Sequence, residues 1–560
     1  MNKPSICGLL VLVSGAPAAA QKEVVRFQQA YERLDSYVAQ EMQAEGTPGL
    51  ALALTNRDGL LRVATYGFAD IKTRAPVTPQ TRFEIGSISK SFTAISLLQL
   101  HDEGRFDPKA PVSKYLPWFS IRSKYTPVTS HDLLSHSGGL PRDRDDIPSS
   151  LYQAIAVSER ETGYAPGAKF AYSNIDYQIL GYLLQSIEGK PYAEIIQKRI
   201  LDPLGMTSSA AQFTSATRSI LATGYVPLYD DRPSRRSDPL EEGTWGEYGA
   251  GDGSIVATPA DLAAYLRMLL NRGAGPRGRI LSEQGFQLLT HRVIKDGDNS
   301  YYGYGLDISE KDGHTIISHS GGMIGYSTRL EGDLDDGLGA IVFVNGPGDP
   351  GRVAEYAVAL LRAVLHEKEL PPVPGRETST RIANAADYAG MYSTADGKQL
   401  TLVAESESLV LVRDNQRILL ERSSDDSFLV GHPDFSLFPV VFGRDKDKKV
   451  VEAFYGSDWY TNSHYAGLRS FEVPPEWAPY PGHYRTQDPW LSNFRVVLCK
   501  GKLWLAYVEG NEEELVPLSP GLFQVGVEPT AERLQLDTVI EGNAQRAILS
   551  GKAFYRTFTP

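Results

Sequence analysis

The chain has 560 residues, 42% hydrophobic and 22% charged, the balance of a soluble globular protein large enough for several domains. Its formal net charge of -12 argues against nucleic acid as a partner, since phosphate binding needs concentrated Lys and Arg. Two cysteines, Cys7 and Cys499, exclude a disulfide framework.

In chain order, the first segment is MNKPSICGLLVLVSGAPAAA, with Lys3, an apolar run from Ile6 to Val13 and small residues up to Ala20. This pattern is expected to be a secretory signal over residues 1–20, cut after Ala18-x-Ala20, which places the mature protein in the periplasm or outside the cell. Ser14, Gly15 and Pro17 stop the run well short of the roughly 20 apolar residues of a membrane-spanning helix. No later segment reads as a membrane span. Cleavage removes Cys7 and leaves Cys499 without a partner.

GLALALTN and LLRVATYGFAD predict two strands joined by a turn at residues 56–59. SFTAISLLQLHDEG predicts a helix that ends at Gly104, and ATPADLAAYLRMLLNRG a second, capped by Thr258 and stopped by Gly273. HTIISHSGG, YSTRLEG and GLGAIVFVN predict three strands, and RVAEYAVALLRAVLHEKEL a closing helix. Between them, the charge-rich stretch YDDRPSRRSDPLEEG reads as a solvated loop, or as one rim of a cleft.

PPVPGRETST then reads as a linker, after which short alternating segments replace helical periodicity. YAGMY at Tyr388 is echoed by YPGHY at Tyr480, and SFLVG ending at Gly431 by LFQVG ending at Gly526. The offsets, 480 − 388 = 92 and 526 − 431 = 95, are nearly equal. They predict two antiparallel barrels in tandem rather than one larger β domain. The expected organisation is a catalytic domain over residues 21–370, a linker over 371–384, and barrels over 385–473 and 474–560.

The chemistry centres on FEIGSISKSFTA, residues 83–94. A serine hydroxyl needs a base within hydrogen-bond reach to act as a nucleophile. Residues three apart share a helix face, so Lys90 approaches Ser87. A helix start beside Ser87 adds backbone N–H groups and positive dipole, and Gly86 permits close approach to a ligand. Alone, the tetrapeptide also fits a helix start with a surface lysine. Two further motifs, YSN at residues 172–174 and HSGG at residues 319–322, lie downstream in the order Ser-x-x-Lys, Tyr-x-Asn, His-x-Gly.

These three motifs resemble those of the serine β-lactamase and penicillin-binding-protein-like hydrolases. DLLSHSGGLP, LDPLGMTSS and YGAGDGSIVATPADLAAYL add to the likeness. The resemblance spans roughly residues 28–370 and implies an α/β (α+β) serine β-lactamase-like catalytic domain, followed here by all-β, lipocalin-like antiparallel barrels. It implies Ser87 as nucleophile, Lys90 as proton acceptor or relay, and Tyr172 as second base and leaving-group acid. Asn174 would orient Lys90 and the substrate amide. His319 and Gly321 would form the strand wall of the cleft, and the N–H groups of Ser87 and Gly322 the oxyanion hole. The tyrosine in the middle motif points to the class C, D-aminopeptidase and esterase branch. His319 stands where the strict β-lactamase motif has lysine. A histidine is expected to be only partly charged near neutral pH and to hold a substrate carboxylate less firmly.

The expected function is an exported serine hydrolase that forms an acyl-enzyme on Ser87 and cleaves a small amide or ester, such as a D-amino-acid-containing peptide or ester. A β-lactamase or D-Ala-D-Ala carboxypeptidase is the alternative, and a non-catalytic peptidoglycan- or β-lactam-binding protein the alternative of another class. No cofactor or metal is expected. His131 and His136, five apart, do not share a helix face and have no cysteine or carboxylate cluster beside them in sequence. No Gly-x-Ser-x-Gly, Walker or Rossmann pattern is present.

Overall fold

The computed structural model describes residues 18–142, 149–376 and 378–559. Residues 1–17, which carry most of the segment read as an export signal, lie outside the described residues. The chain divides into two compact units: residues up to 226 together with 240–374, and residues 227–239 with the C-terminal region from 375.

The first unit is built on a nine-stranded antiparallel sheet. Its strands are β1 (Gly49–Asn56), β2 (Leu60–Asp70), β3 (Ala75–Pro76), β4 (Ile294–Gly297), β5 (Ser300–Tyr302), β6 (Asp307–Lys311), β7 (His314–Met323), β8 (Tyr326–Asp333) and β9 (Leu338–Val344). Their order is β4-β5-β6-β7-β8-β9-β1-β2-β3. The N-terminal hairpin therefore pairs with the last strand, Leu50 opposite Val344. β1 and β9 are buried on both faces, which explains their unbroken apolar runs. Leu50, Leu52 and Leu54 face helices α1 (Ala18–Glu45) and α5 (Pro350–Leu365). Ala51, Ala53, Ile341 and Phe343 face the larger core, which contains α2 (Ser89–Asp102), α3 (Asn174–Glu188) and α4 (Pro259–Leu270).

In α2 every residue from Ser89 to Leu98 is buried, and four of the five polar side chains in that run, all but Ser96, find partners inside the protein. Ser91 Oγ lies 2.6 Å from the Tyr265 hydroxyl on α4, and Thr93 Oγ1 lies 2.8 Å from the Tyr192 hydroxyl. The Phe92 ring stacks on Tyr265. These contacts fix the helix that carries Lys90.

The second unit contains two closed eight-stranded antiparallel barrels, one spanning residues 390–461 and the other 482–556. The repeat echoed in the sequence has a physical basis. The Tyr392 hydroxyl donates to the carbonyl of Tyr388, and the Tyr484 hydroxyl to that of Tyr480, so each barrel opens on the same buried tyrosine pair. Phe428 and Phe523 fill equivalent core positions. Cys499 lies buried among Phe438, Phe454, Trp459 and Trp504, where the barrels meet, and burial pushes its thiol up to about 11.

The charge-rich stretch read as a solvated loop or cleft rim is exposed at Tyr229, Asp230, Ser234, Arg236, Ser237 and Pro239, and it also makes contacts that local pattern does not show. Residues 227–239 form a strap on the barrels. Arg235 pairs with Glu421 of the first, while Arg485 of the second pairs with Asp230. Asn493 and Arg495 donate to the backbone carbonyls of Asp230 and Asp231 at 2.7 and 2.8 Å. Asp230 and Arg235 have partners more than 180 residues away in sequence, a separation that local pattern does not reveal, whereas Arg232 pairs with its neighbour Asp231.

Candidate active site

Ser87 sits in a 3-10 turn, Gly86–Ile88, that runs directly into α2. From residue 83 to 90 it is the one residue not fully buried. The turn is held from both sides: Ile85 N–H donates to Ile255 O at 3.0 Å, and Ile255 N–H donates to Ser89 Oγ at 3.2 Å.

Lys90 is fully buried, and its Nζ donates to three oxygens. These are Ser87 Oγ at 2.9 Å, Asn174 Oδ1 at 2.6 Å and the backbone carbonyl of Asp252 at 3.0 Å. The 2.9 Å contact serves a proton in either direction: an ammonium donates to Ser87, and a neutral amine accepts the hydroxyl proton. Asn174 is the first residue of α3. Ser173, just before it, donates from Oγ to the carbonyl of Pro141 at 3.0 Å, which anchors the second motif to the segment after His136.

Tyr172 lies half-buried over Lys90, whose Nζ is 4.8 Å from the ring centre. Burial pushes the phenol above its ordinary value; the charge of Lys90 and hydrogen bonds to Lys90 and Ser87 pull against it without cancelling it. The phenol therefore keeps its proton at neutral pH in the resting site.

The third motif is the C-terminal half of β7, and its Gly321 has a steric cause. A Cβ on Gly321 would sit 1.9 Å from the carbonyl of Ile85. Gly86 has φ +50°, and a Cβ there would meet the O and N of Gly322 at 2.6 and 2.8 Å. The turn carrying Ser87 thus packs backbone to backbone on the strand, a contact no side chain permits. Gly322 is exposed, with open space where a Cβ would point.

His319 corrects the expectation of a partly charged residue. It is buried, with Nε2 3.0 Å from the Tyr302 hydroxyl and Nδ1 2.6 Å from the carbonyl of Ser320. The carbonyl accepts from Nδ1–H, which leaves Nε2 to accept from the phenol. Burial, then the charge of Lys90, pushes its pKa down to about 3, so the ring is neutral at physiological pH. The reason is Tyr302 on β5, a fully buried phenol that closes over the imidazole.

A second buried imidazole lies beneath Tyr172. The His136 ring centre is 4.4 Å from that of Tyr172, and its Nδ1 is 2.9 Å from Asp176 Oδ2. Burial, followed by the charge of Lys90, pushes its pKa well below the usual histidine value. His131 instead contacts the Tyr304 hydroxyl at 2.6 Å, so the two histidines weighed as a metal pair have different partners. Among the described residues one trio, His314, Asp333 and Asp335, has metal-compatible spacing, at the opposite end of β7 from the motif. Arg362 already occupies Asp333 at 2.6 Å, and Thr315 N–H donates to Asp335.

Sequence reasoning placed Ser87, Lys90, Tyr172, Asn174, His319, Gly321 and Gly322, and the structure brings all seven together. It missed Asp252, Tyr302 and the His136–Asp176 pair. Asp252 acts through a backbone carbonyl, which any residue supplies; the surrounding YGAGDGS stretch was the available signal. Its carboxylate accepts from the Tyr248 hydroxyl at 2.7 Å, and Gly251 O accepts from Thr93 at 2.6 Å, which seats the loop against α2.

A half-exposed serine, a buried lysine at its oxygen and a glycine strand against its backbone are the arrangement of a serine hydrolase. The Beta-lactamase family pattern matches residues 34–364, more than half the chain, and the chain belongs to that family. It is 28% identical over 375 residues to penicillin-binding protein 4* of Bacillus subtilis (strain 168), a match covering 62% of this chain and 80% of that protein. It is 25% identical over 323 residues to protein Flp of Staphylococcus aureus (strain NCTC 8325 / PS 47), covering 56% of this chain and 63% of Flp, less than two thirds of that relative. Among solved structures, the octameric penicillin-binding protein homologue from Pyrococcus abyssi matches with a TM-score of 0.55 at 24% identity, over 77% of this chain and 99% of that one, a likeness of fold. No described helix is long and apolar enough to cross a membrane.

Proposed function

We propose that the protein is an exported hydrolase that forms an acyl-enzyme on Ser87 and cleaves small amides or esters, with peptides or esters of D-amino acids as the substrate class. The observation that carries this reading is the 2.9 Å contact between Ser87 Oγ and a Lys90 whose other two donors are fixed by Asn174 and Asp252. Lys90 takes the hydroxyl proton as Ser87 Oγ bonds to the substrate carbonyl carbon. The N–H groups of Ser87 and Gly322 stabilise the resulting oxyanion. Tyr172, which keeps its proton in the resting site, donates it to the leaving group and regains one through Lys90. Water then cleaves the ester on Ser87 by the same route in reverse.

The neutrality of His319 supports uncharged substrates, because the third motif offers no cation to grip a carboxylate. A second reading is a penicillin-binding protein that acylates and turns over slowly. It is favoured by the name of the Bacillus subtilis relative and by the same Ser87–Lys90 geometry. A panel of p-nitrophenyl esters, D-amino-acid p-nitroanilides, D-Ala-D-Ala peptides and nitrocefin separates the two. The proposal expects fastest turnover on an uncharged ester or D-amino-acid amide. Stable labelling by a fluorescent penicillin without turnover of any of these selects the second reading. Export is tested by N-terminal sequencing of protein from the periplasm or medium, with Gln21 expected as the first residue.

A further inference from the structure

Each barrel carries a Lys–Asp pair at its closing seam, and the two pairs are reversed in order. In the first barrel, Lys398 follows the first strand, Gly390–Ser393, and its Nζ donates at 2.7 Å to Asp458, which opens the last strand, Asp458–Thr461. In the second, Asp488 follows the first strand, Gly482–Arg485, and contacts Lys552, which opens the last strand, Lys552–Arg556. Their surroundings differ. The side chains of Lys398 and Asp458 are 52% and 28% exposed, whereas those of Lys552 and Asp488 are both 0% exposed. Lys552 shares the inward side of its strand with core residue Phe554, whose ring centre is 5.5 Å from Nζ. Asp488 is held by Trp490 N–H, which donates to Oδ1 at 2.9 Å, while Oδ2 faces Lys552. The seam they span is thin: the first and last strands pair only at Tyr484–Arg556 and Arg485–Tyr555.

Removing two opposite charges from water costs more than their attraction returns unless the geometry is excellent. A pair that is dry, fixed and in contact has another outcome, because a bound amine and carboxyl have a very high effective concentration for each other. We propose that Lys552 Nζ and Asp488 Cγ are joined by an intramolecular isopeptide bond that closes the second barrel. A proton passes from the ammonium to the carboxylate, giving the neutral amine and acid. The amine lone pair attacks Cγ, the N–C bond forms, and the C–O bond breaks. The departing hydroxyl takes a second proton from nitrogen and leaves as water. One water is lost, both charges disappear, and no external reagent is consumed. The first barrel is the internal control, since its solvated pair keeps its charges and stays ionic.

The test is intact-mass and tandem mass spectrometry of the purified full-length protein. The expected result is a mass lower by one water, with a branched peptide joining Lys552 to Asp488 and none joining Lys398 to Asp458. Lys552→Met and Asp488→Ala should each restore the unmodified mass. Separate linear peptides bearing Lys552 and Asp488 in the wild type would overturn the proposal, as would a water loss mapping to one of the chain's Asp-Gly sites. The wild-type peptide map decides the matter even where a variant fails to fold.

Discussion

Lys90 and Lys552 are both buried, and their surroundings set them to opposite tasks. Lys90 contacts a hydroxyl, an amide oxygen and a backbone carbonyl, none of which carries a full charge. Lys552 contacts a carboxylate. A lysine whose contacts include the partly exposed hydroxyl of Ser87 has the geometry that the proposed relay requires. A lysine locked against a carboxylate in a dry core is committed to one partner. The contrast teaches that burial alone does not mark a functional lysine; the formal charge of what it touches does. Around Lys90 the protein also keeps other groups neutral, with His319 and His136 both depressed by burial and by Lys90 itself.

The largest expected effect comes from Ser87→Ala. If Lys90 exists to serve this hydroxyl, turnover should fall more than about 1000-fold with the fold intact, read as steady-state rate beside a circular dichroism melt. Next is Lys90→Ala, expected to cost about 100-fold or more in kcat. It should also destabilise the protein by about 1–3 kcal/mol for each buried acceptor left without its donor, measurable by urea denaturation. An active Lys90→Ala would break the comparison, since Lys90 would then be as structural as Lys552.

Tyr172→Phe should lower turnover of an amide about 100-fold, and that of a p-nitrophenyl ester less, because p-nitrophenolate leaves without a proton. Equal losses on both substrates would remove Tyr172 from the donor role. Since burial raises the phenol, its acid form persists through neutrality, so wild-type amide turnover should hold there and fall only as alkaline pH removes the proton that Tyr172 donates.

The smallest effect on activity belongs to His319→Asn, which should leave the pH–rate profile of a neutral ester unchanged in shape, because the native ring carries no charge in that range. Its signature is in stability. The unfolded chain takes up the histidine proton near its ordinary value of about 6.5, whereas the folded ring resists until about 3. The contribution is thus fully present above about pH 6.5 and lost as pH falls toward 3. Wild-type urea midpoints should drop on acidification, and the variant's should drop less.

Much of this was legible in the sequence, for identifiable reasons. Ser87, Lys90, Tyr172 and Asn174 carry the proposed chemistry on side chains within two short motifs, and Gly321 and Gly86 are forced by backbone contact. β1 and β9 are buried on both faces and so announce themselves as apolar runs. The barrel repeat survived because Tyr388 and Tyr480 each open a core in the same way. What was hidden depended on contacts distant in sequence. The Asp252 carbonyl has no side-chain signature. The neutrality of His319 needs Tyr302 from another strand. The barrel contacts of the strap at residues 227–239 were hidden because Glu421 and Arg485, its partners, lie far along the chain. Nothing local distinguishes Lys552 from Lys398; only the closed barrel makes one dry and leaves the other wet.

The most direct test of the account is a rapid-quench reaction with a p-nitrophenyl ester, analysed by intact mass and peptide mapping. The account predicts an acyl adduct on Ser87 that forms and decays at rates consistent with turnover, and no adduct in Ser87→Ala. Turnover without an adduct, an adduct on another residue, or full activity in Ser87→Ala would contradict it.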